Sequence, residues 1–174
     1  MQGRSPLLRG VGVTALPLSS PRQRRLPLEA ALGVARGVHA RVGGGTCQHD
    51  ELAVQLGLSA SSSGYRIRIA AARLFGLIMS ERGSEGIRLT DLGARVVDPS
   101  QERSARASAF LNVPLFKKMY DHYRGRVLPP VAALQREMIG FGVAQKQAER
   151  ARQVAERSAE TAGFFESGRD RLVM

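Results

Sequence analysis

From Leu28 onward, apolar residues return every three or four positions, the spacing of one helix face. In LEAALGVARGVHARV (residues 28–42), Leu28, Ala31, Leu32, Ala35 and Val38 fall on one side, and three glycines at 43–45 end the run. A second helix is predicted to begin near Thr46 or Asp50 and to run through ELAVQLG, with Leu52, Ala53 and Leu56 on one face. Gly57-Leu58-Ser59 supplies a tight turn. Ser61, Ser62 or Ser63 can then cap a third helix through GYRIRIAAARLFGLI, because a serine hydroxyl accepts from the free amides of a first turn. The pattern next shortens to two apolar runs, Leu77-Ile78-Met79 and Ile87-Arg88-Leu89, around the polar, glycine-bounded stretch Gly83-Ser84-Glu85-Gly86, which predicts a β-hairpin. Thr90-Asp91 caps a short helix, TDLGARVV. Asp98-Pro99-Ser100-Gln101 offers a cap, a proline at the first helical position and a Gln at the third, for a helix running to Leu111.

Helix, helix, turn, helix, hairpin is the order of a winged helix-turn-helix. The expected fold class is therefore mainly α, a winged helix-turn-helix at residues 28–97 with a small β-hairpin wing. A helical region at residues 98–174 follows. That region repeats the first pattern in outline. VPLFKKMYDHY stands for the first helix and PPVAALQREMIGFGV for the second helix and its turn. AQKQAERARQVAERSAETAG would be the long third helix, and GFFESGRDRLV resembles GLIMSERGSEGIRL with a shorter loop. Two readings stay open: a second winged-helix-like unit, or a helical region that packs on the wing or pairs two protomers. Residues 1–27 show no periodicity of either kind and read as a disordered tail, or as residues upstream of the true start, with a DNA-contacting arm as the alternative.

Composition changes this picture in three ways. Aromatics are 5% of the chain and Trp is absent, so the core must be aliphatic and alanine-rich. A single cysteine, Cys47, leaves no disulfide framework, and no apolar run approaches the ~18 residues of a membrane span; a cytoplasmic setting is expected. The formal charge of +11 favours an acidic partner, and nucleic acid is the commonest. Five arginines in residues 1–27, with no acid beside them, supply +5 of that charge and leave +6 for the rest. The cations are nearly all Arg, which a GC-rich genome also produces.

On the third helix, ~100° per residue puts Ile67, Ala70, Ala71, Leu74 and Ile78 on the side expected to face the core. Ser62, Tyr65, Ile69 and Ala72 are expected outward, flanked by Arg66 and Arg73 on one edge and Arg68 on the other. Such a face enters the DNA major groove in a helix-turn-helix. Arg can bond guanine edges or phosphates, Ser can bond either, and Tyr65 or Ile69 can meet a thymine methyl. Arg82 and Arg88 on the wing would add phosphate contacts. The same outward Tyr, Ile and Ala are equally suited to docking a protein. The later helix presents Lys146, Arg150, Gln153, Arg157 and Thr161 beside Glu149, Glu156 and Glu160, a mixed-sign face better suited to partner contacts.

Catalytic readings find little support. Cys47-Gln48-His49-Asp50-Glu51 gathers a thiol, an imidazole and two carboxylates, yet no second cluster supplies the ligands zinc normally takes. His39 and His122 stand alone. There is no nucleophile elbow, phosphate loop, HExxH or dinucleotide fingerprint, and no cofactor is expected.

The stretch SSSGYRIRIAAARLFGLI…IRLTDLGARVVDP, continued by AFLNVPLFKKMYDHY, resembles an uncharacterised family of bacterial and archaeal winged-helix proteins, catalogued as a domain of unknown function. The likeness is carried by Ser63-Gly64, by Leu74-Phe75-Gly76-Leu77-Ile78 and by Leu89-Thr90-Asp91-Leu92-Gly93. Phe110-Leu111-Asn112-Val113-Pro114-Leu115-Phe116 and Ser158-Ala159-Glu160-Thr161-Ala162-Gly163 extend it over nearly everything after residue 27. The resemblance implies a winged-helix fold and no particular activity. The expectation is a non-enzymatic, regulator-like protein that binds DNA as a homodimer. The alternative is a protein-interaction adaptor on the same fold, or an accessory subunit of a larger system.

Overall fold

Between Pro27 and Gly43 the chain has the spacing of an amphipathic helix, and α1 (Leu28–Val42) takes up the whole of it. Leu28, Ala31, Leu32, Val34, Ala35 and Val38 are buried. The computed structural model describes residues 26–80, 86–168 and 171–173. Apart from Leu26 and Pro27, the segment expected to be a tail lies outside the described residues; Leu26 packs on the core.

After α1 come α2 (His49–Gln55), α3 (Ser63–Leu74), β1 (Ile78–Ser80), β2 (Ile87–Leu89), α4 (Asp91–Val97) and α5 (Glu102–Leu111). Then follow α6 (Pro114–Tyr123), α7 (Val131–Gly140) and α8 (Gln145–Thr161). The described residues are thus mainly helical, with one two-stranded antiparallel hairpin that pairs Ile78 with Leu89 and Ser80 with Ile87. No helix among them is long and apolar enough to cross a membrane.

Caps set most boundaries. Gln48 and Glu51 close α2 as a capping box, Ser62 Oγ accepts from Tyr65 N at 3.1 Å, and Thr90 Oγ1 accepts from Gly93 N at 2.9 Å. Asp98 is a variation on the expected cap. Its carboxylate accepts from Ser100 N, Ser100 Oγ and Gln101 Nε2, holding a turn at Pro99–Gln101, so α5 starts later, at Glu102.

α1 is the central strut. It packs against α2, α3, α4, β2 and α8. Its first amide has no cap from its own neighbourhood. Instead Leu28 N donates to Ser158 Oγ of α8 at 3.0 Å, and both residues are fully buried. The few aromatics concentrate where the two halves meet. Phe75, Phe116, Phe110, Phe164 and Tyr120 form a continuous chain with ring centroids 4.9–6.0 Å apart. One core cluster accordingly includes residues from α1 to Leu172.

The two halves share a backbone pattern. At the turn after α2, the amides of Leu56, Gly57 and Leu58 donate to Leu52, Val54 and Ala53, with Gly57 at φ +65°. After α7, Phe141, Gly142 and Val143 donate to Glu137, Ile139 and Met138, with Gly142 at φ +98°. The end of α3 (Phe75, Gly76 and Leu77 to Ala71, Arg73 and Ala72) matches the end of α8 (Ala162, Gly163 and Phe164 to Ser158, Glu160 and Ala159). An isolated antiparallel bridge joins Cys47 to Ile87 in the first half and Val127 to Arg171 in the second. The expected second hairpin is reduced. Among the described residues it forms no paired strands: Val173 N donates to Phe164 O at 3.0 Å, much as Thr90 N donates to Leu77 O at 3.1 Å, and turn bonds run from Gly168 N to Phe165 O and from Arg171 N to Gly168 O.

Two helical glycines behave oppositely. A Cβ on Gly93 would stand 1.9 Å from the Leu77 carbonyl oxygen, whereas a Cβ on Gly33 meets nothing within 4 Å. Urea unfolding of Gly93→Ala is expected to show a loss of about 3 kcal/mol. Gly33→Ala, which only restricts the unfolded chain, is expected to gain about 0.5–1 kcal/mol. Equal effects from the two substitutions would contradict this packing of α4 on the Leu77 backbone.

Candidate nucleic-acid interface

α3 carries the residues expected to contact DNA, and the structure turns it over. Tyr65, Ile69, Ala71 and Ala72 are buried, with Phe75 completing the stripe, and this face lies on α1. Of the residues expected in the core, Ala71 and Ile78 are buried, while Ile67, Ala70 and Leu74 are only partly buried. Tyr65 and Ile69 therefore cannot reach a base edge. The reason is that α3 is apolar on two sides. One stripe, Ile67-Ala70-Leu74, reaches Ile78 only if the helix continues, but the helix stops at Leu74 and Ile78 belongs to β1. The other stripe, Tyr65-Ile69-Ala72-Phe75, brings the larger rings to the core with a small alanine at the contact.

The polar ends of that stripe are tied inward. Tyr65 OH lies 2.8 Å from His49 Nδ1, with the rings edge-to-face at 5.7 Å. Burial pushes the Tyr65 phenol up to about 12; Cys47 and Asp50 add to the shift and Arg73 opposes it. Nothing in the sequence around His49 signals this partnership, which joins residues sixteen positions apart. The rest of the Cys47–Glu51 run is structural as well. Cys47 is buried, its Sγ donating to Gln48 O at 3.5 Å, and Glu51 faces Arg41 at 3.5 Å. Burial raises the Cys47 thiol, and Glu51 raises it further. Among the described residues no three His, Cys, Asp or Glu side chains gather as a metal site.

Outward on α3 stand Ser63, Arg66, Ile67, Ala70 and Arg73. Arg66 and Arg73, seven residues apart, lie within ~20° of each other around the helix, and Arg68 lies ~160° from Arg66. All three are exposed. Arg66 Nη2 donates to Ser61 O at 3.0 Å, and Arg73 Nη2 donates to Ser80 Oγ, which ties the end of α3 to β1. Arg88 is exposed on β2, with Nε 3.2 Å from Met79 Sδ. Ser62 has a structural task, since its hydroxyl caps α3. Arg82 lies outside the described residues.

The structure thus puts Arg66 and Arg73 on one side of α3 and Arg68 on another edge, places Arg88 beside Met79 on the hairpin, and takes Tyr65 and Ile69 into the core. Among the described residues none of Arg66, Arg68, Arg73 and Arg88 meets an acidic side chain. Arg36, Arg41, Arg103, Arg106 and Arg152 are each ion-paired. On α8, Lys146, Arg150 and Arg157 are exposed and Gln153 and Thr161 are half-buried; Gln153 Nε2 donates to Glu149 Oε1 at 3.2 Å. Compared with protein-family models, curated proteins and solved structures, the chain matches none of them.

Truncation should report the face directly. Ile69→Ala is expected to cost about 3 kcal/mol in urea unfolding, and Ile67→Ala about 1 kcal/mol or less. Tyr65 adds a pH signature. Its folded pKa is raised above the ordinary value of 10.0, so its contribution is complete below pH 10 and is lost as pH rises towards 12. Tyr65→Phe is expected to lose stability at neutral pH and to close that gap between pH 10 and 12. A gap that stays constant would remove the phenol from the core.

Proposed function

We propose that this chain is a non-enzymatic winged-helix protein, of the bacterial and archaeal family it resembles, that binds duplex DNA in a regulator-like role. In this reading α1, α2 and α3 are the three helices, the β1–β2 hairpin is the wing, and Cys47 is the strand residue that pairs with it. α3 lies along the major groove with Arg66 and Arg73 towards the backbone, and Arg88 reaches a phosphate from the wing. Tyr65 and Ile69 have no part in the contact.

The observation that carries this reading is the pairing of the arginines. Arg36, Arg41, Arg103, Arg106 and Arg152 are held by Glu29, Glu51, Glu102, Glu156 and Glu166, whereas among the described residues Arg66, Arg68, Arg73 and Arg88 are exposed and meet no acidic side chain, a property they share with Arg95, Arg124, Arg126, Arg136, Arg157 and Arg171. Uncompensated guanidinium groups on one surface attract a polyanion, and they release its counterions on binding. Arg73 is further pre-positioned by Ser80, so less side-chain freedom is lost when it meets a phosphate.

One observation favours the second class of partner. Ile67 and Ala70 lie between the arginines on the outward face, and an apolar strip rimmed by cations also suits an acidic protein surface. That reading makes the chain an adaptor or an accessory subunit.

A salt titration on random duplex DNA separates the two. The full chain is expected to bind with an affinity that falls steeply with salt. Arg66→Gln with Arg73→Gln should lower the slope of log K against log salt by about 2, leaving Arg88 and the chain's other arginines to supply the remainder. No binding at ~50 mM salt, where even non-specific contacts are strong, would eliminate the DNA reading and leave the adaptor.

A further inference from the structure

We infer that the second half of the chain makes its own contact with the nucleic-acid backbone, through Arg124, Arg126 and Arg171 beside the Val127–Arg171 bridge and not through α8. The inference rests on the DNA reading given above.

It begins with the matched hydrogen bonds. Leu77 N donates to Ala72 O, and Phe164 N donates to Ala159 O, so Ala72 and Ala159 occupy the same place at the ends of α3 and α8. Counting back from that pair, Arg66 corresponds to Gln153 and Arg73 to Glu160. The second position has gained an exposed carboxylate, and the first holds an amide already bonded to Glu149. Tyr65 and Ile69 correspond to Arg152 and Glu156, so a partly buried ion pair replaces the buried phenol and isoleucine. α8 has the place of a reading helix without its charge, and Glu160 would repel a phosphate.

A second group of cations in this half lies away from α8. The turn that closes α6 is Arg124-Gly125-Arg126, and Val127 follows it into the bridge with Arg171. An antiparallel bridge holds its two residues ~5 Å apart between Cα atoms, and successive Cα atoms are ~3.8 Å apart, so all three arginines lie within ~15 Å. All three are exposed, and among the described residues none is ion-paired. In the first half the matching bridge, Cys47 with Ile87, is fully buried; in the second it is open to solvent, with Val127 53% exposed. Guanidinium groups on a turn and an isolated bridge, with no helix to align them in a groove, grip phosphates without reading bases. The partner chemistry is a polyanionic backbone.

The test uses the full chain and two duplexes of unrelated sequence. Arg124→Gln with Arg126→Gln is expected to weaken binding to both duplexes by the same factor and to lower the salt slope by about 2. Its effect should add to that of Arg66→Gln with Arg73→Gln. Arg171→Gln, on a separate segment, should lower the slope by about 1, and Arg124→Lys with Arg126→Lys should keep it. Circular dichroism melting of each variant reports whether the fold is intact. If the Arg124/Arg126 variant binds like the parent while the Arg66/Arg73 variant is weakened, the inference fails and the α3 reading stands. The reverse result keeps the second contact and overturns the first. No binding by the parent chain overturns both.

Discussion

Three consecutive carbonyls after α3 decide where everything else goes. Phe75 O accepts from Asn112 Nδ2 at 3.2 Å, Gly76 O from Thr90 Oγ1 at 2.5 Å, and Leu77 O from Thr90 N at 3.1 Å. A helix end leaves such acceptors free, and burying them unmet would cost roughly 1–3 kcal/mol each. The three donors come from two places far apart in sequence. Satisfying the carbonyls therefore docks the start of α4 and the junction of α5 and α6 onto the end of α3 together. Gly76 makes this geometry accessible with φ +74°, and a Cβ there would stand 2.4 Å from Asn112 Nδ2. Gly93 completes it by letting α4 lie directly against the Leu77 backbone. The phrases Thr90-Asp91-Leu92-Gly93 and Asn112-Val113-Pro114 are in this light two halves of one clasp.

The clasp has a counterpart at the other end of the core. Ser158 caps α1 from α8, so the first helix of one half starts properly only when the last helix of the other is in place. The aromatic chain from Phe75 through Phe116 and Phe110 to Phe164 fills the space between the two tethers. Two halves that share a backbone pattern are in this way joined as one packed body. Their outward surfaces, α3 with its hairpin and the α6–α7 turn with its bridge, are held in a fixed relation.

What was legible in the sequence was what local chemistry decides. α1 has the bounds its apolar spacing predicts, and Ser62 and Thr90 cap the helices they precede. Each of those signals lies within a few residues of its effect. The face of α3 was not legible, because Ile67-Ala70-Leu74 and Tyr65-Ile69-Ala72 are both apolar stripes. Only the partner helix chooses between them. Phase was the available clue: Phe75 continues the Tyr65 stripe at i+10, whereas Ile78 continues the other only if the helix runs four residues past its end. Asp98 shows the same limit from another side. Its capping chemistry was readable, but whether it starts a helix or holds a turn depends on where α4 has already placed it.

The candidate interface follows from that choice of face. Once Tyr65 and Ile69 are committed to α1, the polar atom of Tyr65 must find a partner inside, and His49 supplies it from the start of α2. This leaves the outward surface with arginines, a serine and two small or mid-sized apolar side chains, and no aromatic ring to pack on a base. Such a surface holds a backbone well and discriminates bases poorly, since guanidinium–phosphate bonds carry no sequence information directly. In the proposed DNA reading, selectivity would come from Arg66 turning inward to a guanine edge, or from how a duplex bends to reach cations on both halves. The second route needs the halves to be rigidly joined, and the clasp at Phe75–Leu77 and the cap from Ser158 are what join them.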